Sequence, residues 1–292
     1  MTYTFIARVC SDLPVAVCCR VMKVSTSGFY AWRSQPCSDR NFEDAALTNT
    51  IVDIHRASRR SYGSPRVHAE LRLGQSLRCS RKRVERLMRQ AGIVGIHRRR
   101  GRGCTRRNPD ATPSEDLVQR NFAVTGQDRL WVMDVTEHAT EEGKVYLAVV
   151  LDAWSRRVVG WSIADHMRSE LVVDAVQMAA WRRRPPTGQC VAHSDHGSQY
   201  TSWAFGTRLR AAGLLGSMGS VGDAYDNSMA ESFFHTLQLE LLDEHRWTTR
   251  RQLALAIFEW IEAWYNPTRR HSSIKMLSPI DFEVQMKAAA AA

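Results

Sequence analysis

Three carboxylates spaced widely along the chain are the residues best placed to do chemistry. Asp134 closes the apolar stretch Leu130-Trp131-Val132-Met133, where an unpaired charge is costly to bury. Asp195 follows a short apolar segment in His193-Ser194-Asp195-His196-Gly197-Ser198, and Gly197 permits close backbone approach beside it. Glu231 falls one turn into a helical stretch that Asp226 or Asn227 can cap. Each has an ordinary reading when taken singly: a turn residue, a helix cap, a solvated helix face. Together they make an all-oxygen donor set, which suits magnesium or manganese and not a zinc thiolate site. Two such ions roughly 3.5–4 Å apart can activate the attacking oxygen of a phosphodiester exchange and stabilise the leaving one. The ligands must be ionised to bind, so metal affinity is expected to fall at acid pH.

The elements around these residues follow from apolar periodicity. Residues 130–135, 145–152 and 157–163 read as strands. The second, VYLAVVLD, is almost continuously apolar, as a strand buried on both faces should be. Short connections at Glu142-Gly143 and at residues 153–156 make the three antiparallel neighbours. A helix over 169–181, a strand over 190–193, a helix over 201–212, a strand over 214–217 and long helices over 226–242 and 248–264 follow. The order βββαβαβαα is that of a ribonuclease-H-like fold. At about 100° per residue, Phe233, Phe234, Leu237 and Leu241 form one helix face, and Glu231, His235 and Gln238 an adjacent one. That helix can pack on the sheet and still present Glu231. Asp152 reads as a turn residue, and His193 and His196 either orient Asp195 or satisfy local hydrogen bonds.

The net charge of +10 is unevenly spread. Residues 56–107 hold 17 Lys and Arg against two acids, Glu70 and Glu85, so this stretch is +15 and the rest of the chain −5. A polyanion such as DNA is the expected partner, because each cation set on a phosphate releases a condensed counterion. Upstream, residues 13–22 and 26–32 read as short helices around Lys23-Val24-Ser25, a helix-turn-helix layout that any helical hairpin shares. Residues 45–58, 65–73 and 81–91 read as three more helices, the last capped by Ser80 and ended by Gly92. On that last helix Val84, Leu87 and Met88 face inward while Arg81, Lys82, Arg83, Arg86 and Arg89 crowd the remaining surface, which suits a DNA groove.

The domain boundaries expected are a helix-turn-helix-like unit over 1–40, a basic helical DNA-binding region over 41–100, a basic, proline-bearing linker over 101–120, a catalytic core over 121–285 and a frayed alanine-rich tail over 286–292. Seven cysteines, with no CxxC pair, argue against disulfides and structural zinc and for a reducing compartment. No stretch approaches the ~20 apolar residues of a membrane span, and no GxxxxGK[ST] loop occurs for ATP. A bacterial cytoplasmic, nucleoid-associated protein is expected.

The segments WVMDVTEHAT, VYLAVVLDAWSRRVVGW, HSDHGSQYTS, SMGSVGDAYDNSMAESFFHTLQLELL and WYNPTRRHSSIKMLSPIDF resemble the integrase-type core of insertion-sequence transposases of the IS-three family, in particular its downstream-frame product. The 35 residues between Asp195 and Glu231 match the spacing of that family's DD(35)E motif. YGSPRVHAELR and CSRKRVERLMRQAGIVG resemble the helical DNA-binding region that precedes the core, and VMKVSTSGFYAW the family's opening segment. The resemblance implies an α/β fold: a ribonuclease-H-like integrase core with a five-stranded mixed sheet and flanking helices, preceded by a basic all-helical DNA-binding region. It implies that Asp134, Asp195 and Glu231 are catalytic ligands of Mg²⁺ or Mn²⁺, two per site. Hydrolysis at an element end would free a 3′-OH, which would then attack target DNA. Expected DNA contacts are Arg66, Arg81, Lys82, Arg83, Arg86, Arg98, Arg99, Arg100, His235, Gln238, Arg269 and Arg270, the last two also packing on the core. Expected partners are the element's terminal inverted repeats, target DNA, an upstream-frame protein or a frameshift fusion with it, and further copies of the chain on DNA. Two departures stand out: Gln238 occupies a position where relatives often carry Lys, and Gly219-Ser220 one where many carry Ser-Arg. Two rival expectations share many of these features, a cleavage-only nuclease of the same fold and a non-catalytic DNA-binding regulator.

Overall fold

In the computed structural model, which describes residues 2–34, 39–96, 124–195, 197, 199–218 and 228–291, the basic and the strand-rich stretches fall into separate units, Met1–Gly95 and Ile96–Ala292. The expectations placed on 98–107, on the loop 219–227 with its caps Asp226 and Asn227, and on His196 lie outside the described residues.

The first unit is helical. Helices α1 (Thr2–Val9), α2 (Val15–Val21) and α3 (Thr26–Ser34) bury Ile6, Cys18, Cys19 and Phe29 against Tyr3 and Trp32. The α2–α3 pair is the expected hairpin, α1 is an addition to it, and Cys18 and Cys19 are free thiols in the core. Helices α4 (Asp39–Ala57), α5 (Ser64–Leu73) and α6 (Arg81–Gln90) enclose Ile51, Ile54, Val67, Leu71, Val84 and Leu87. The Ser80 hydroxyl accepts from Arg83 N at 3.2 Å, capping α6, and Gly92 leaves the helix at φ +67°. Helix α4 begins at Asp39, where a carboxylate in the first turn favours the helix dipole.

The second unit is built on a five-stranded sheet of order β3-β2-β1-β4-β5, with β1 Leu130–Thr140, β2 Gly143–Asp152, β3 Val158–Ala164, β4 Val191–Ser194 and β5 Leu215–Met218. The first three strands pair antiparallel and β1, β4 and β5 pair parallel, so the sheet is mixed, as expected. Helices α7 (Ser169–Arg183) and α8 (Trp203–Ala211) share a core with Trp131, Met133, Ala148 and Val150. Gly160 on β3 lets α7 sit this close, since a Cβ there would lie 2.2 Å from the Ala175 carbonyl oxygen. Helix α9 (Ser228–Glu240) packs on β1 and α10 (Arg250–Glu259) on β2. The expected helix over 248–264 is in fact α10 followed by a π-helical turn, Trp260–Tyr265.

The C-terminal tail requires a correction. Residues 286–291 continue helix α11 (Pro279–Ala291) and do not fray away from it. The Ser278 hydroxyl accepts from Asp281 N at 3.1 Å, proline starts the helix and alanine propagates it. Phe282 and Met286 pack in a cluster with Ile274 and Leu277. Glu283 receives Arg183 at 2.9 Å and Arg157 at 2.7 Å, both far away in sequence.

Candidate active site

Asp134 and Asp195 are brought near each other by neighbouring strands. β1 and β4 run parallel with Val132 opposite His193. The pairing ends there, two residues short of Asp134 and Asp195, and it leaves the two carboxylates near enough for Asp195 to raise the Asp134 carboxyl. Because Trp131 and Met133 enter the α7–α8 core, strand alternation turns Asp134 to the other face. Asp134 Oδ1 accepts from Val135 N at 2.8 Å. Asp195 is exposed, and its Oδ1 accepts from Gly197 N at 3.0 Å, which folds the chain around the carboxylate. A Cβ at 197 would lie 2.8 Å from Gln199 Oε1 and 3.1 Å from Asp195 Oδ1, so a larger residue there would push those two side-chain ends aside. Glu231 stands exposed in the first turn of α9, whose buried side is Phe233, Leu237 and neighbouring Leu241.

The electrostatics tie the three together. Burial, the most powerful cause, and then the Asp195 and Glu231 carboxylates push the Asp134 carboxyl up to about 7, against the hydrogen bond from Val135 N. Such a site gathers negative charge that a cation would neutralise, and its donors are all oxygen, which fits Mg²⁺ or Mn²⁺. Among the described residues no three Asp, Glu, His or Cys side chains are gathered closely enough to grip one ion. Asp195 follows directly on the strand that pairs with β1, whereas Glu231 reaches Asp134 only as the weakest of the three raising influences.

Sequence reasoning missed Tyr200. Its ring packs edge-on against Phe205 at 5.3 Å, and its buried hydroxyl has no hydrogen-bond partner among the described residues. Burial and then the Asp134 and Asp195 carboxylates drive its pKa well above the ordinary phenol value, which places it next to the acidic pair. The available signal was an aromatic residue in an otherwise polar loop, five positions after Asp195. His193 is buried, and its Nδ1 lies 3.1 Å from the Ser217 hydroxyl across β4 and β5. Asp152 holds the turn after β2, accepting from Ser155 N at 2.9 Å, Ser155 Oγ at 2.6 Å and Asp128 N at 3.0 Å.

The expected DNA contacts divide sharply. Arg81 and Lys82 are exposed, and Arg66 lies over the Tyr62 ring at 5.7 Å. Arg83 and Arg86 instead clamp α6 to α4, each donating to Asp44 at 2.7 Å, with Arg83 also reaching Glu43 at 3.1 Å. Those hydrogen bonds, Arg86 first, hold the Asp44 carboxyl below its usual range. Arg269 and Arg270 pack on the core as buried groups. Arg269 forms a two-pronged pair with Glu240, at 2.7 Å and 2.9 Å, because a buried carboxylate on α9 requires a counter-charge. Arg270 is 7% exposed. Asn266 bonds both the N–H and the carbonyl of Val158, at 2.9 and 3.0 Å, covering the edge strand β3. Gln238 donates to Asp243, and His235 keeps a buried Nε2 without a partner among the described residues.

Comparison with known proteins gives these features a class. Residues 124–224 and 213–279 match two integrase core domain families, and residues 42–101 match an HTH-like domain. An integrase-core enzyme that cleaves and transfers DNA, preceded by a helical DNA-binding domain, is the class that sheet and sequence define. Among full-length relatives, the transposase InsF for insertion sequence IS3A of Escherichia coli (strain K12) is 36% identical over 285 residues, covering 97% of this chain and 98% of that protein. An uncharacterized 31 kDa protein of insertion element IS600 from Shigella sonnei is 35% identical over 264 residues, 90% of this chain and 96% of that protein. The chain belongs to this IS3 family of insertion-sequence transposases. Among solved structures, the HTLV-2 integrase catalytic core domain in complex with magnesium matches 53% of this chain and 96% of that one, with 17% identity and a TM-score of 0.39. At that score the likeness adds nothing to the assignment. No described helix is long and apolar enough to cross a membrane.

Proposed function

We propose that Asp134, Asp195 and Glu231 are the divalent-metal ligands of a centre that cleaves the ends of an insertion sequence and joins them to target DNA. The observation that supports this best is the half-buried Asp134, whose carboxyl is raised by burial and by both other carboxylates. Asp134, on the central strand, provides the fixed oxygen donors. Asp195 is oriented by Gly197 N, and Glu231, exposed in the first turn of α9, would complete the ligand set. When bound, Mg²⁺ or Mn²⁺, two ions per site, would supply the Lewis acidity that activates the attacking oxygen and stabilises the leaving one. Water first opens a phosphodiester at the element end, and the freed 3′-OH then exchanges for a target-strand oxygen. One phosphodiester replaces another, so ATP has no part in joining.

The helical unit, through Arg66, Arg81 and Lys82 and with the linker arginines Arg98, Arg99 and Arg100, would hold the terminal repeats by their phosphates. His235 and Gln238 on α9 would meet DNA near the scissile bond, Gln238 after releasing Asp243. Full activity would require several copies on DNA and an upstream-frame partner, fused or separate, in the bacterial nucleoid. Incubating the chain and its upstream-frame partner with labelled element ends, Mg²⁺ and target DNA should give nicked and joined products. Asp134→Asn should abolish both while sparing DNA binding. Nicks without joining would favour the cleavage-only nuclease, and unaltered transfer by Asp134→Asn would remove the carboxylate assignment.

A further inference from the structure

We propose that the turn between α5 and α6 holds a site for one DNA backbone phosphate, with Arg72 and Arg78 as its cationic walls. The site rests on the reading of the chain as a DNA-end-binding transposase and adds to it a contact made by neither α6 nor the linker.

A cavity of about 580 Å³ opens at this turn, lined by His68, Arg72, Ser76, Arg78 and Cys79. It has room for a phosphate group and several waters, each taking about 30 Å³. Arg72 and Arg78 are exposed, and neither guanidinium makes a hydrogen bond or ion pair with any described residue. On α6, by contrast, Arg83 and Arg86 bind Asp44 and Arg89 binds Glu85. Two guanidinium groups unpaired among the described residues line one polar cavity, where a single anion would be shared between them. Their planar donor forks match phosphate oxygens.

The cavity is already shaped. Leu77 N donates to the Leu71 carbonyl at 2.8 Å and Gln75 N to that of Glu70 at 3.1 Å. His68 Nε2 donates to the Cys79 carbonyl at 3.0 Å, tying the far side of the turn to α5. Ser76 takes a left-handed backbone at φ +56°, bending the chain between these ties. A turn held this way loses little freedom when it binds. The cavity and its two free guanidiniums, not the nearby helix end, define the site. Such a lining grips phosphate oxygens in any base sequence and reads no base edge.

The full-length chain is titrated with a fluorescent element-end duplex and a scrambled duplex across a salt series. For Arg72→Gln/Arg78→Gln, the slope of log K against log salt should fall by about 0.9, one phosphate contact, with binding weakened about 5- to 10-fold at 0.1 M salt. The loss should be equal for both duplexes. Arg210→Gln, on the exposed side of α8, controls for simple charge loss and should leave the slope unaltered. Duplex should also protect Arg72 and Arg78 of the unmutated chain from an arginine-directed reagent. An unchanged slope in the double variant, an equal loss in the control, or no protection overturns the phosphate site. Failure of the unmutated chain to bind either duplex would overturn the end-binding reading itself.

Discussion

At Asp134 a single side chain sets stability against the metal binding proposed for it. Its carboxyl is raised from 3.8 to about 7, so the folded chain holds that proton more tightly than the unfolded chain. The stability this group contributes is therefore complete below about pH 4 and is lost as pH climbs through 7. Without metal, Asp134→Asn should raise the melting temperature at pH 8 and leave it unchanged at pH 4. The gain at pH 8 should be on the order of 1–3 kcal/mol, discounted for partial exposure. Adding Mg²⁺ should then stabilise the unmutated chain and not the variant. Thermal melts at both pH values check this, and a variant no more stable at pH 8 would contradict it. Metal affinity runs the opposite way, rising as the carboxyl ionises. The ligand types and the 35-residue spacing were legible in the sequence. The Tyr200 hydroxyl was not, because it reaches Asp134 only through the fold.

Among the elements, Glu240 and Arg269 join α9, which carries Glu231, to the segment after the π-helical turn. Their side chains are 4% and 5% exposed. Arg269→Met would strand a buried carboxylate and should cost about 3–5 kcal/mol in urea unfolding. Glu240→Leu/Arg269→Met, which removes both charges, should recover most of that loss. A single variant as stable as its parent would show that the pair does not anchor α9. The strands were legible because runs such as VYLAVVLD have few other uses in a soluble chain. Helix α11 was not, because an alanine run has no apolar face to set it apart from a tail and its anchor Glu283 meets partners more than 100 residues away. The pairing of Arg83 and Arg86 was hidden for the same reason: their partner Asp44 lies on another helix, 39 and 42 residues back. Sequence shows that a face is cationic, and only packing shows which of its charges are already paired.

For the whole molecule, the split into two units accounts for the uneven charge: the basic excess begins in the helical unit, and the carboxylates lie on the sheet unit. Each has its own buried core, so residues 124–291 expressed alone should melt cooperatively and lose preference for element ends. Retained end preference in that fragment, by competition binding against scrambled duplex, would move recognition onto the sheet unit. Everything else depends on three carboxylates meeting at one cation site. The most direct measurement is anomalous diffraction from crystals of the full chain soaked in Mn²⁺ near pH 8. The predicted result is manganese density at a centre held by Asp134 and Asp195, with Glu231 among its ligands. Peaks elsewhere only, or an occupied Asp134 with Glu231 still turned away, would contradict the shared metal centre.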